Sequence, residues 1–210
     1  MKRALQLKCD CYSIADDNGT LAVGNKKNCQ IIDVENTIKK TFDIDKNITI
    51  IKGLPYVTLG TDGAVYILGP KNKLICYLFP AQYAESSPTS ISYSVSTTLL
   101  AVSVNDVVLV YDLNKPLEKS LIALLQGHEA PVAKCAFLTY LIISCSEDQR
   151  FIVWDLNKRC MCYESPFESS YPIKGIATFD TNHMFALAFQ DGFVRLYDAS
   201  PILDAKPSVK

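Results

Sequence analysis

Few residues of this chain could carry acid–base or nucleophilic chemistry. The two histidines are His128 and His183, and His128 could pair with Asp148 as an imidazole and carboxylate acting together as a general base. The sequence contains no Gly-x-Ser-x-Gly elbow, no phosphate-binding loop and no His-Glu-x-x-His motif, the usual companions of such chemistry. His183 falls among turn residues, where we expect a solvated side chain. The sequence therefore predicts a protein that is not an enzyme, with no catalytic residues and no cofactor.

The cysteines suggest metal binding more directly than the histidines do. Two Cys-x-Cys pairs occur, Cys9–Cys11 and Cys160–Cys162. Residues two apart on a strand face the same side, so each pair could offer two thiolates to zinc. Structural zinc sites more often use Cys-x-x-Cys spacing, however, and these pairs lie far apart in the sequence. We interpret both pairs as packing positions of strands and predict no metal site.

The charge of the chain limits the ligands it can attract. The formal net charge is −1, which argues against a general attraction to nucleic acid or to anionic membranes. Lysines do occupy two predicted loops, Lys26–Lys27 and Lys71–Lys73. They leave open an alternative function, the binding of a phosphate ligand such as RNA or a phosphoinositide, provided that they converge in space.

Hydropathy predicts the compartment. No run of about 18 apolar residues occurs, so we predict no membrane span. The apolar stretch after the basic start is too short for a signal peptide. We therefore expect an intracellular protein in the cytoplasm, the nucleus or both.

Short strand-forming runs must position these residues. Val, Ile, Leu, Tyr and Phe dominate runs such as Leu99–Val104, Leu141–Cys145 and Phe151–Leu156. Turn residues such as Asp17-Asn18-Gly19 and Gln190-Asp191-Gly192 separate them, and these tolerate the positive φ of tight hairpins. No stretch keeps a 3.6-residue apolar period long enough for a helix. The fold class is predicted to be all-β.

The strands recur with a fixed period. Tyr111-Asp112, Trp154-Asp155 and Tyr197-Asp198 follow one another at intervals of 43 residues, and a period in the low forties marks a repeat architecture. The strands group in fours, with a weak final strand predicted at Ile202–Ala205. Residues 1–210 then form a single domain of five repeats, at about 9–46, 47–84, 85–126, 127–168 and 169–205.

The repeat that contains Gly127–Asp155 resembles those of the WD40 family. The likeness lies in its Gly-His opening, its Trp-Asp close and its four predicted strands. It implies a β-propeller in which each repeat is one four-stranded blade. It also implies a structural tetrad of buried polar groups, in which a carboxylate accepts from an imidazole, the imidazole contacts a hydroxyl and the hydroxyl reaches an indole N–H. The residues that match this tetrad are His128, Ser144, Asp148 and Trp154.

On this interpretation His128 and Asp148 fasten a blade and do not catalyse a reaction. The other repeats match the tetrad less well. By spacing, repeat three has Ala101 at the hydroxyl position and repeat five has Leu187 there, whereas repeat two keeps Thr58.

The resemblance implies a binding function. Loops on a rigid scaffold concentrate binding residues, and in a propeller the loops entering the first strand and joining the second to the third line one rim of the channel. We predict a non-enzymatic scaffold or adaptor that binds protein or peptide partners through these loop faces. The candidate interaction residues are Glu129, Pro131, Glu147, Gln190, Thr61 and Tyr171.

Five repeats raise a question of closure. WD40 propellers usually close with about seven blades. The chain could form a closed five-bladed ring, or an open or partial arc that a longer parent protein completes. A partner chain could also complete it by adding strands to an edge. A short strand predicted at Arg3–Leu7 is placed to pair with the last blade.

Overall fold

The computed structural model describes residues 13–17, 20–24, 28–33, 38–44, 48–52, 58–69, 73–167 and 171–203. The predictions made for Arg3–Leu7, Cys9–Cys11, Lys26–Lys27 and Lys71 lie outside these residues. The described part is all-β, as predicted, with five antiparallel sheets and one four-residue α-helix. No helix within the described ranges is long and apolar enough to cross a membrane.

The chain divides into two compact units, Met1–Pro88 and Thr89–Lys210. The first unit holds two four-stranded sheets whose spatial order follows the chain. The first sheet consists of β1 (Ser13–Asp17), β2 (Thr20–Gly24), β3 (Asn28–Asp33) and β4 (Ile38–Asp43). The second sheet consists of β5 (Ile48–Lys52), β6 (Thr58–Thr61), β7 (Ala64–Gly69) and β8 (Lys73–Leu78). A core of buried side chains, which includes Cys29, Ile48 and Leu59, lies in this unit.

The second unit holds three sheets with the same sequential order. The third sheet consists of β9 (Pro88–Ser94), β10 (Leu99–Val104), β11 (Val107–Asp112) and β12 (Leu121–Gln126). The fourth sheet consists of β13 (Val132–Leu138), β14 (Leu141–Ser146), β15 (Phe151–Asp155) and β16 (Cys160–Glu164). The fifth sheet consists of β17 (Ile173–Phe179), β18 (Met184–Phe189) and β19 (Val194–Asp198).

The two central strands of the fourth sheet, β14 and β15, are buried on both faces. On one face Ile152 and Trp154 share a core with Val110 of the third sheet. On the other face Val153 shares a core with Leu187 of the fifth sheet. Because both faces are covered, β14 and β15 are apolar at nearly every position and show little alternation.

The turns between the second and third strands require residues that tolerate positive φ. Gly63 has φ +73° and Gly192 has φ +88°, while Gln149 occupies the corresponding turn of the fourth sheet with φ 69°. At Gly63 a Cβ would also collide with the backbone of Ala84, whose carbonyl oxygen would lie 1.9 Å away. Glycine is therefore required at position 63 on two independent grounds.

The predicted final strand at Ile202–Ala205 is wrong where the structure describes it. A short helix, α1 (Ser200–Leu203), follows β19 instead. The Asp198 carboxylate accepts a hydrogen bond from the backbone N–H of Ser200 at 2.8 Å, and Pro201 suits the first turn of a helix because its missing N–H is not needed there. These two local preferences favour a helical turn over a fourth strand at Ser200–Leu203.

Candidate functional site

Four polar side chains of the fourth sheet form one continuous hydrogen-bonded chain. The Nδ1 atom of His128 lies 2.7 Å from Oδ2 of Asp148. The Nε2 atom of His128 lies 2.9 Å from Oγ of Ser144. The indole N–H of Trp154 donates to the same Oγ at 2.8 Å. The structure thus brings together all four residues of the tetrad that the resemblance implied.

A single proton arrangement gives every group in this chain a partner. Nδ1–H of His128 donates to the Asp148 carboxylate, the Ser144 hydroxyl donates to Nε2, and the Trp154 indole donates to the Ser144 oxygen. Ser144 is 0% exposed, His128 6% and Trp154 4%. Since unpaired polar groups are costly at such depth, this direction of donation stabilises the fourth sheet.

Asp148 connects the tetrad to the two loops beside it. Its carboxylate also accepts the backbone N–H groups of Glu129 at 3.1 Å and Arg150 at 2.9 Å. Burial alone would raise the pKa of Asp148, but its hydrogen bond to His128 and the two backbone donors together lower it below its ordinary value. Asp148 is therefore held as a carboxylate that ties the loop before β13 to the β14–β15 turn.

The connectivity of Asp148, His128 and Ser144 is that of a hydrolase triad, yet its setting differs. The Ser144 oxygen already accepts the Trp154 indole, and the side chain has no exposed surface. A nucleophile must reach its substrate, and this hydroxyl faces packed side chains on every side. The geometry supports a structural role for the three residues.

The corresponding positions of other sheets carry no such chain among the residues the structure describes. In the fifth sheet Leu187, fully buried, stands in place of Ser144. In the third sheet the strand register places Val102 there and turns Ala101 to the opposite face, because the β10–β11 hairpin is one residue shorter. The β6–β7 hairpin is shortened in the same way, so Leu59 replaces Thr58 at that position. The assignments of Ala101 and Thr58 from sequence spacing were therefore wrong.

Three of the candidate interaction residues form one exposed group. Glu129, Pro131 and Glu147 are all exposed, and the backbone N–H of Glu147 donates to the Pro131 carbonyl at 3.0 Å. Ser146, which the sequence reading did not single out, supports this group through its hydroxyl. That hydroxyl donates to the Ala130 carbonyl at 2.8 Å and accepts the backbone N–H of Asp148 at 3.1 Å.

Two further candidates repeat this arrangement in the fifth sheet. Gln190 is exposed, and its backbone N–H donates to the Pro172 carbonyl at 3.1 Å. Tyr171, the neighbour of Pro172, is 52% exposed. The sixth candidate, Thr61, has no exposed surface, and its hydroxyl donates to the Ala64 carbonyl at 3.2 Å. Thr61 therefore belongs to the interior of its turn and is removed from the interaction surface.

The other chemical candidates lie apart from this group. Cys160 and Cys162 are both exposed on β16, so their interpretation as packing positions is wrong. The thiol of Cys162 is nevertheless partly shielded from solvent, and this burial raises its pKa. No cluster of three or more metal-ligating side chains occurs in the described part of the chain. His183 is half-buried and ends the β17–β18 turn with φ 53°.

Together these features define a class of protein, an all-β repeat protein whose best-formed sheet is fastened by a buried polar chain. No family model matches the sequence.

Proposed function

We propose that this chain is a WD40-type β-propeller protein with five blades, acting as a non-enzymatic scaffold or adaptor for other proteins. The hydrogen-bonded chain of Asp148, His128, Ser144 and Trp154 carries this proposal, because it occurs in the repeat with the Gly-His opening and the Trp-Asp close. The five antiparallel sheets, four of them four-stranded, support it. The run Ser-Glu-Asp-x-x-Phe-x-Val-Trp-Asp is also similar to that of WD repeat-containing protein 27, a likeness that adds no activity.

The proposed interaction surface is the exposed group around the tetrad. Glu129 and Glu147 are exposed acidic residues on two loops whose backbones are joined through Asp148 and Pro131. Fixed loops bind with less loss of conformational entropy than mobile ones. Two neighbouring carboxylates favour a partner that presents a basic segment, because opposite charges steer the encounter and fix its register.

Charge reversal tests this surface. We expect Glu147→Lys to remove partners captured by the wild-type protein in affinity purification, with an unchanged melting temperature. Glu118→Lys is the matched control, because Glu118 is exposed in the turn that follows β11. Equal capture by both variants would exclude this loop group as the binding surface.

The alternative function, binding of RNA or a phosphoinositide, stays a prediction. Lys26–Lys27 and Lys71 lie outside the described residues, and Lys73 begins β8. A salt titration separates the two functions, since phosphate binding weakens steeply as ionic strength rises.

A further inference from the structure

Among the described residues the fifth sheet has three strands, whereas each of the other four sheets has four. In the third and fourth sheets a fourth strand, β12 or β16, pairs with the third. In the fifth sheet β19 pairs with β18 on one side, and the described residues supply no strand on its other side. An edge strand with free backbone groups is a template for another extended segment.

The short fifth sheet leaves a cavity against its neighbour. The cavity has a volume of about 280 Å³ and is lined on one side by Val153 and Tyr163 of the fourth sheet and on the other by Phe185, Tyr197 and Ile202. Every residue of β16, the last strand of the fourth sheet, is exposed. A volume just below the roughly 300 Å³ of the smallest ligand sites suits one large apolar side chain.

Arg195 lies on the same edge strand as Tyr197 and has a shielded guanidinium nitrogen without a partner among the described residues. Arg195 bonds to Asp191 through Nη2 at 3.3 Å and stacks on the ring of Phe189 at 3.9 Å. Its Nη1 atom is shielded from solvent and makes no hydrogen bond to any described residue. A shielded donor of this kind costs free energy that an arriving acceptor would recover.

The fourth sheet gives one example of an arginine whose acceptor comes from the fourth strand. There Arg150, just before β15, pairs with Glu164 at 2.7 Å, and Glu164 belongs to the fourth strand β16. The fifth sheet carries Arg195 on its third strand, at the position of Ile152, and the described residues include no fourth strand beside it that could carry an acid. The missing element is thus an extended segment with a carboxylate.

Strand geometry fixes the spacing within such a segment. Arg195 and Tyr197 are two residues apart on β19 and so face the same side. β16 runs antiparallel to β15, and a segment placed likewise beside β19 meets Tyr197 first and Arg195 two residues later. The segment therefore reads, from its N-terminus, large apolar residue, any residue, acidic residue.

We propose that β19 binds an extended segment of a partner protein as the fourth strand of the fifth sheet. The apolar residue of that segment enters the cavity beside Tyr197, and its carboxylate pairs with Nη1 of Arg195. Backbone pairing supplies affinity and the two side chains supply specificity, as in other cases of strand addition. This surface is separate from the Glu129 and Glu147 loop group and does not depend on binding there.

A labelled peptide tests the proposal directly. The probe is the fluorescein-labelled nonapeptide Lys-Thr-Thr-Thr-Leu-Thr-Glu-Thr-Lys, whose binding to the full chain is followed by fluorescence anisotropy. Its matched control has the same composition with Leu and Glu exchanged. We expect the probe to bind about tenfold more tightly than the control, the effect of one hydrogen bond to a charged group. N-methylation of alternate amides in the probe should abolish binding, because it blocks strand pairing.

Variants of the protein locate the site. Arg195→Glu should weaken probe binding at least tenfold and should bind better to a peptide with Lys in place of the Glu of the probe, while Arg195→Met gives the loss alone if the Glu variant unfolds. Ile202→Trp should fill the cavity and weaken the probe to a similar extent. Glu147→Lys should leave probe binding unchanged, which separates this site from the loop surface.

Two results would overturn the proposal. One is the absence of saturable binding up to about 1 mM peptide, a binding free energy near −4 kcal/mol. This would also follow if a segment of the chain itself already occupied the edge. The other is equal binding of the probe and its exchanged control, which would show that Arg195 and the cavity do not read the sequence of the strand.

Discussion

Replacing Trp154 tests whether the buried polar chain stabilises the fourth sheet. Truncation to alanine removes a 4% exposed ring from the core between the third and fourth sheets. Such truncations cost about 3–5 kcal/mol in free energy of unfolding. Trp154→Phe keeps most of the packing but loses the indole donor to Ser144, worth about 1 kcal/mol, and part of the ring. We expect this variant to lose about 2 kcal/mol.

The assay is urea unfolding followed by far-ultraviolet circular dichroism. Trp154 is the only tryptophan, so its fluorescence reports on this site in the wild type and is lost in both variants. For a unit of the size of Thr89–Lys210, 1 kcal/mol corresponds to roughly 3–5 °C in melting temperature. In a thermal scan, Trp154→Ala should therefore melt about 9–25 °C below the wild type. The control is Phe193→Ala, because Phe193 is 66% exposed.

The ratio between the two variants decides the interpretation. A loss below about 1 kcal/mol for Trp154→Ala would mean that the fourth sheet does not depend on this core. If Trp154→Phe were as stable as the wild type, the indole hydrogen bond would contribute nothing, and the buried chain would not be a fastening.

Three further predictions concern the packing beside Trp154, the charge of Asp148 and the exposed side chains of β19. Gly127→Ala should cost about 1–3 kcal/mol by overpacking, since its Cβ would lie 3.1 Å from Cη2 of Trp154, and the cost measured by urea unfolding should shrink in a Trp154→Phe background, which lacks that atom. Asp148 has a lowered pKa, so its stabilising contribution is present above the ordinary value of 3.8 and lost as pH falls through the lowered value; Asp148→Asn should flatten the acid side of a melting-temperature profile. Val194 and Leu196 are 67% and 59% exposed on β19; changing both to Thr should reduce aggregation in light scattering without lowering the melting temperature.

Sequence patterns predicted most strands because burial leaves a strong signature. Leu99–Val104 was predicted with the bounds the structure shows, since an apolar run between turn residues has few other uses. The tetrad residues were also predictable, because Gly-His and Trp-Asp mark their positions in the sequence. The sequence did not reveal that two hairpins are one residue shorter than that of the fourth sheet. Ala101 and Thr58 were therefore assigned to the wrong face of their sheets.

The end of the fifth repeat was less predictable for a different reason. Apolar residues at Ile202 and Leu203 suit a strand or a helix equally over so short a run. The choice depended on the Asp198 carboxylate accepting the Ser200 N–H and on Pro201 at the start of the turn. The exposed loop residues were predicted from their position in the repeat alone. The prediction for Thr61 was wrong, because its hydroxyl donates a hydrogen bond to the Ala64 carbonyl within the same turn.

The distribution of polar groups across the repeats explains why the triad-like residues remain structural. An indole N–H at the Trp154 position requires a buried acceptor, and Ser144 supplies it only because His128 accepts its proton in turn. Where the third strand carries tyrosine instead, the serine position is Val102 or Leu187, both fully buried and apolar. Partly satisfied polar networks are worse than apolar packing, so the hydroxyl is present with the indole and absent without it. The position of a catalytic serine would depend on the substrate, whereas Ser144 occurs where the Trp154 indole requires a hydrogen-bond acceptor.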